Sequence, residues 1–464
     1  MATTSAPDDG SATMAVKPRD VEEPIAPGTS ALLRGGGPLA RYLTAYGIAG
    51  IVLFATYGGL LSIILPLQVQ IIVGTRLIQG YFPGFDMSTV APAVQAQMTS
   101  ATASSIGVVT SISSLFTLFA QPIIGAVSDR FRNRFGRRSV WIVTGAVFGA
   151  LLMIGLELSA TVAAVAVSWV LVQVTLNIMQ APLTTTVADR IPTDRRGVVS
   201  AIAGLGMMIG ATGGVLAAGT LVESMGLKAY YVFGVAVVVG AVFFVVMAPD
   251  RSSKDLVVAP FSQRAFWAGF LTPIRDHDYR WAWLARLAIM LGYQGIGTFN
   301  LYLLQFYISE PMTAAAATKV VPILSILGLP GMLISMMVSG RLSDKLGRRK
   351  PFVLWASIGV ALCLAVPLLA PTLTSMYIYS VLVGFAFGSY MAVDTALFID
   401  VLPDPSAAGR DLGVANIATN LGQAGSPAAI GLLAGAFGYT SAWVWGIVWA
   451  VVAGIAILPI RRIR

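Results

Sequence analysis

The chain has 464 residues, of which 56% are hydrophobic and 11% charged, with a mean hydropathy of +0.79; a soluble globular domain carries about a quarter charged residues, so most of this surface must face something other than water. The formal charge of +9 allows nucleic acid as a partner by sign alone, but its placement along the chain matches membrane flanks, and no nucleic-acid partner is expected. A single cysteine, Cys363, excludes a disulfide framework or cysteine metal cluster, and a single histidine, His277, excludes a histidine metal cluster.

Residues 1–44 are rich in Ala, Ser, Thr, Pro, Gly and charge, without the basic-then-apolar pattern of a signal peptide. They read as a disordered tail. Twelve apolar stretches follow, each near the ~20 residues that cross a hydrocarbon core. They run at about 45–73, 101–126, 139–159, 161–187, 198–221, 228–247, 282–308, 318–340, 351–370, 372–400, 411–436 and 440–460. The expectation is an all-α membrane protein with twelve transmembrane helices in two six-helix halves, 45–247 and 282–460. A polar linker, 248–281, joins them, and a basic tail, 461–464, ends the chain. With both termini placed in the cytoplasm, every Lys and Arg falls on the inner side except Arg76, Lys228 and Lys319. The positive-inside rule expects that asymmetry. Residues 74–100 read as an outer surface excursion, whose run Tyr81-Phe82-Pro83-Gly84-Phe85 could instead cover an outer mouth.

One phrase occurs twice. Residues 125–138 read Gly-Ala-Val-Ser-Asp-Arg-Phe-Arg-Asn-Arg-Phe-Gly-Arg-Arg, and 340–349 read Gly-Arg-Leu-Ser-Asp-Lys-Leu-Gly-Arg-Arg. With four residues removed from the first, Gly125 pairs with Gly340, Asp129 with Asp344, and Arg137 and Arg138 with Arg348 and Arg349. Downstream, Leu171–Pro192 overlays Leu382–Pro403 and brings Asp189 onto Asp400. Shared landmarks at a fixed offset point to a duplicated unit.

Both copies resemble the loop between the second and third helices of major facilitator superfamily halves. The resemblance covers nearly the whole chain after residue 44 and implies a monomeric secondary transporter in the plasma membrane that works by alternating access. It also implies a cytoplasmic gate built from Gly125, Asp129, Arg130, Arg134, Arg137, Arg138 and Asp189, with Gly340, Asp344, Arg348, Arg349 and Asp400 in the second half. In that gate each loop aspartate meets a helix N-terminus of the other half, where the macrodipole favours an anion, and the arginines pair with Asp189 and Asp400. The alternative is that these charges only set topology.

Asp394 lies six residues before Asp400, about 9 Å deeper along the same helix. An intramembrane carboxylate is costly and usually faces the bundle interior. Arg286 is its natural partner, and two readings stand: a proton-coupling or gating pair, or a static ion pair with Arg286 snorkelling. The spans that line the superfamily's cavity offer neutral polar and aromatic side chains: Tyr57 and Gln68; Gln173, Asn177 and Gln180; Tyr293, Gln294 and Asn300; Tyr390; Asn416 and Asn420. Each alone could be interhelical glue, but the set suits an uncharged, polyhydroxylated solute. Gly206, Gly210 and Gly214 form a small-residue ridge on the fifth span.

The expanded first loop, Tyr390–Leu397 with Asp400-Val401-Leu402-Pro403, and Arg286-Leu287 with Leu291-Gly292 resemble the glycoside–pentoside–hexuronide:cation symporters and sucrose transporters. Sodium-coupled members of that branch carry aspartates in spans two and four, which are missing here. The expected activity is proton-coupled uptake of a neutral sugar or glycoside, with no cofactor or metal and with a small-molecule substrate and the lipid bilayer as partners. The alternative is export of a small apolar or amphipathic compound.

Overall fold

The computed structural model describes residues 36–85, 89–191, 196–250, 252–253, 272–403 and 408–462. Among them every regular element is helical, and the helices make twelve passes. The first, α1, spans Gly37–Leu77; its α-helical segments Gly37–Gly59 and Leu65–Leu77 flank a π turn at Leu60–Ile64. The others are α2 (Pro92–Arg130), α3 (Ser139–Glu157), α4 (Val162–Arg190), α5 (Arg196–Met225), α6 (Ala229–Met247), α7 (His277–Phe306), α8 (Ala314–Leu346), α9 (Lys350–Leu369), α10 (Leu373–Asp400), α11 (Ala408–Phe437) and α12 (Thr440–Ala456). The loops bearing the repeated phrase lie at one end of the bundle, termed here the basic face; the α1–α2 connection lies at the far face.

Helix ends depart from the hydropathy boundaries. α1 starts at Gly37 and not 45, because Pro38 suits a first turn and Tyr42 is buried against Tyr46 and Phe244. α1 and α2 both extend at the far face, so the excursion expected at 74–100 shortens to 78–91. There Tyr81 packs flat on Gly74 and accepts a hydrogen bond from Gln70 Nε2 at 2.8 Å. α7 starts at His277, capped by Asp276, whose Oδ1 accepts from the Asp278 and Tyr279 amides, both at 3.1 Å. Residues 1–35 of the expected tail, and 251 and 254–271 of the linker, lie outside the described residues.

Packing within each half follows from small residues. α1 lies against α5 so closely that a Cβ on Gly214 would overlap the Ala55 carbonyl, and one on Gly58 the Ala211 carbonyl. α8 meets α10 the same way at Gly328 and Gly384. Around these pairs, α4 packs on α2 and α3, and α6 on α1 and α3; α7 packs on α11 and α12, and α9 on α10 and α12. Val235, Val239, Val242 and Val246 form an exposed apolar stripe on α6, the face expected to meet lipid.

The halves meet through α2 with α11 and α5 with α8. Gly107 of α2 touches Gly431 of α11, where an added Cβ would lie 2.8 Å from the opposing Cα. A set of hydrogen bonds and an ion pair cross between the halves at the far face. Ser100 Oγ donates to the Gly435 carbonyl at 2.8 Å, Ala315 N to the Pro83 carbonyl at 2.9 Å, and Tyr302 Oη to the Pro66 carbonyl at 2.7 Å. Lys319 pairs with Glu223 at 2.7 Å. Gln70 and Gln305 exchange two bonds, at 2.5 and 3.1 Å, in a buried amide dimer. The π turn sets up this closure. The Leu65 amide reaches back five residues to Leu60, and Pro66 has no N–H to give; beyond this stretch the Pro66 carbonyl and Gln70 bond to α7.

Replacing Gly214 with Leu should force α1 off α5 and cost about 1–3 kcal/mol, read as a lower unfolding midpoint in detergent. Gly213→Ala, where an added Cβ meets nothing within 4 Å, should be neutral or slightly stabilising.

Candidate functional site

The Arg286 guanidinium straddles one carboxylate oxygen of Asp394, with Nε at 2.7 Å and Nη2 at 2.6 Å from Oδ2. Tyr390 Oη donates to Oδ1 at 3.1 Å from one turn earlier on α10. Phe398 carries the guanidinium on its ring face, 3.9 Å from the centroid. Side-chain exposure is 8% for Arg286 and 1% for Asp394, so both charges are out of water. Tyr293 stacks on Phe387 at 4.2 Å, and Phe387 on Tyr390 at 6.4 Å. This aromatic ladder runs from α7 along α10 to the carboxylate. Phe398 and Phe387 drew no notice in the sequence, where a phenylalanine in a membrane helix looks like any other apolar residue.

Two polar stripes run along α4 and α11. On α4, Gln173, Asn177, Gln180 and Thr184 are spaced four, three and four residues apart and share one face. Asn177 Nδ2 donates to the Gln173 carbonyl at 2.7 Å, and Tyr57 Oη donates to Gln180 Oε1 at 3.2 Å. On α11, Asn416, Asn420 and Gln423 continue the ridge of Pro427, Gly431 and Gly435 that touches α2. Their side chains are exposed or half-buried toward the basic face. Asn300 on α7 has a buried Oδ1 with no hydrogen-bond partner among the described residues, and Gln294 is half-buried six residues earlier. An apolar recess of about 180 Å³ lies between α1, α4 and α5 beside Gln180.

Gln68 does not belong to this lining. Its amide donates to the Leu156 carbonyl at 2.7 Å and accepts from Tyr230 Oη at 2.9 Å. It is buried glue between α1 and the far ends of α3 and α6. Gln70, Gln305 and Tyr302 are likewise consumed, by the far-face closure.

At the basic face, the arginines of the repeated loop sit on the carboxylates at the ends of α4 and α10. Asp189 takes Arg137 Nη2 at 2.6 Å and Arg138 Nε at 2.9 Å; Arg349 Nε pairs with Asp400. All these pairs stay within one half. The first copy is the more elaborate. Arg138 also donates from Nη1 to Ser128 Oγ at 2.6 Å and from its backbone to Asp250 at 3.0 Å, while Arg190 pairs with Asp250 at 3.2 Å. Gly136 has φ +88 and lies against Asp250, with no room for a Cβ. Ser253 exchanges hydrogen bonds with Asn133, 3.0 Å each way. The four residues that the first copy has in excess, Phe131–Arg134, thus hold the start of the linker. Arg134 is exposed over the Phe135 ring, and Arg348 is exposed. Gly125 and Gly340 are half-buried on α2 and α8. The side chains of Asp129, Arg130 and Asp344 lie outside the described residues.

Two six-helix halves, joined at one face and holding neutral polar side chains between them, make a membrane carrier. A family model described as Major Facilitator Superfamily matches residues 82–336 and 303–463, and the chain belongs to that superfamily. No curated protein matches the sequence. Among solved structures, a mutant of the nucleoside transporter NupG superposes with a TM-score of 0.70 at 14% identity, over 90% of this chain and 99% of its own. An inward-facing, unoccupied bacterial homologue of the human lysosomal transporter Spinster gives 0.65 at 15%, over 92% and 98%. The peptide transporter POT in complex with sulfate gives 0.64 at 14%, over 93% and 96%. These likenesses are of fold. The protein is a multi-pass, alternating-access transporter of a small molecule, and not an enzyme.

Breaking a buried ion pair leaves an uncompensated charge and costs about 3–5 kcal/mol. Asp394→Asn and Arg286→Met should each lower the unfolding midpoint in detergent, and the double variant should recover most of the loss. A double variant as unstable as either single one would show that the pairing is not what holds α7 to α10.

Proposed function

We propose that the protein is a proton-coupled importer of a neutral sugar or glycoside in the plasma membrane, with its basic face and both termini in the cytoplasm. The orientation rests on the distribution of Lys and Arg, which crowd the loops of one face. On it, the closed far face is the outer one, and the described conformation opens inward.

The feature that carries the cargo class is the pair of amide stripes, Gln173–Asn177–Gln180 on α4 and Asn416–Asn420–Gln423 on α11, which this reading takes to line the gap between halves. Side-chain amides both donate and accept, as sugar hydroxyls do. A charged solute would call for an opposing charge, and Arg286 and Asp394 neutralise each other. The shared fold does not choose the cargo, since a nucleoside transporter and a peptide transporter both have it. The resemblance of the Tyr390–Leu397 segment to glycoside symporters adds to the sugar reading.

Asp394 is the proton carrier in this scheme. A proton on its carboxyl removes the charge that holds Arg286, weakens two charge-assisted hydrogen bonds and frees α7 to move against α10. Sodium is disfavoured, because α2 has no acid before Asp129 and α4 none before Asp189. A second reading, export of a small amphipathic compound, draws on the apolar recess beside Gln180.

Proteoliposomes holding the protein should accumulate one labelled sugar from a disaccharide and glycoside panel under an inward proton gradient. Asp394→Asn should lose accumulation and keep exchange. No sugar transport under any gradient would sink the sugar reading and favour the exporter. Separately, Gln305→Ala should weaken the outer closure, seen as faster labelling of a cysteine placed at Leu301, buried one turn before Gln305 on α7, by a membrane-impermeant thiol reagent added from outside.

A further inference from the structure

The recess between α1, α4 and α5 has a shape that glycines create. In a helix interior, glycine costs about 1 kcal/mol relative to alanine. Gly210 and Gly214 offset that cost by letting α1 and α5 touch. Gly50 and Gly204, on the recess wall, do not: an added Cβ at either meets nothing within 4 Å. What their missing side chains leave is volume.

The remaining wall is apolar except for the Tyr46 hydroxyl, with Leu53, Phe54, Leu183 and Met207. Thr184, at the edge, spends its hydroxyl on its own helix, donating to the Ala181 carbonyl at 2.9 Å. Gln180 is the one amide at the rim, and Tyr57 fixes its Oε1 at 3.2 Å, which turns its Nε2 donors to whatever lies beside it. A sugar ring could not occupy this wall without leaving its hydroxyls unpaired. An apolar cavity of ~150 Å³ accepts a benzene ring, and this recess holds about 180 Å³.

Resting on the glycoside reading above, we infer that the recess receives the apolar, single-ring aglycone of a glycoside. The Gln180 amide stands at the junction with the sugar, and the sugar lies along the α4 stripe. The preferred cargo is then an aryl glycoside and not a free sugar.

The test is equilibrium binding to the purified full-length protein in detergent or nanodiscs, comparing phenyl glycosides with methyl glycosides of the same sugars. The phenyl compounds should bind about 10- to 100-fold more tightly, as burial of one ring's apolar surface implies. Gly50→Leu and Gly204→Leu fill the recess from open positions, so folding should survive. Each should bring phenyl affinity down to methyl affinity and leave methyl binding unchanged. Gly155→Leu, at an open position on α3, should change neither. Equal phenyl and methyl affinity in the parent, or a phenyl preference that survives both filled variants, overturns the inference while the sugar reading stands. Binding of no glycoside at all by the folded parent overturns the sugar reading and the inference together.

Discussion

Inside a bilayer, apolar side chains gain nothing by leaving their surroundings, so helices associate only by approaching closely enough to satisfy packing and polar contacts. That constraint explains why glycine marks the main contacts in this protein. Gly58 and Gly214 bring α1 onto α5, Gly328 and Gly384 bring α8 onto α10, and Gly107 and Gly431 bring α2 onto α11. The first two contacts lie within a half and the third between halves. The joint between halves is therefore made of flat helix surfaces with few polar commitments, and these can part at modest cost. The specific bonds are concentrated at one face, where Gln70, Gln305, Tyr302 and Ser100 close the bundle.

Much of the fold was legible because it depends on long-range regularities of the chain: twelve apolar runs, a repeated loop and a one-sided distribution of arginine. The ends of helices were not, because they depend on individual contacts. Tyr42 extends α1 into the expected tail by packing on Tyr46 and Phe244, and no hydropathy window sees that. The candidate site was read in part. Arg286 and Asp394 stood out as costly charges, and the structure places them together. The glutamines of α1 and α7 could not be sorted in the same way. Gln68, Gln70 and Gln305 are alike in type and depth, and only the direction each side chain faces separates glue from closure. Asp250 and Ser253, which brace the first loop, carry no sequence signal that distinguishes them from other linker residues.

The duplicated loops are alike in sequence and unlike in structure. In the first half, Arg138 is buried and shared among Asp189, Ser128 and, through its backbone, Asp250, and the linker is sewn to the loop by Ser253. In the second, Arg349 and Asp400 form a partly exposed pair, and such pairs contribute little. The first loop is thus tied to its half and to the start of the linker, whereas the second is tied to the end of the chain, with Lys350 Nζ donating to the Leu458 and Ile460 carbonyls just past α12. The duplication supplied two equal loops, and the four extra residues of the first made them unequal.

The π turn in α1 bears on how the closed face could open. Each residue advances an α-helix by about 100°, and a π turn holds one residue more than the regular register allows. The segment from Leu65 to Leu77 is therefore rotated by that increment relative to the segment packed on α5. Gln70 meets Gln305 only because of this offset. If the extra residue were absorbed elsewhere along the helix, the outer arm would swivel by about a quarter turn and carry Gln70 off its partner while the inner arm kept its seat on α5. A single helix would then act as a seated base and a rotating key, with the register defect as its ward.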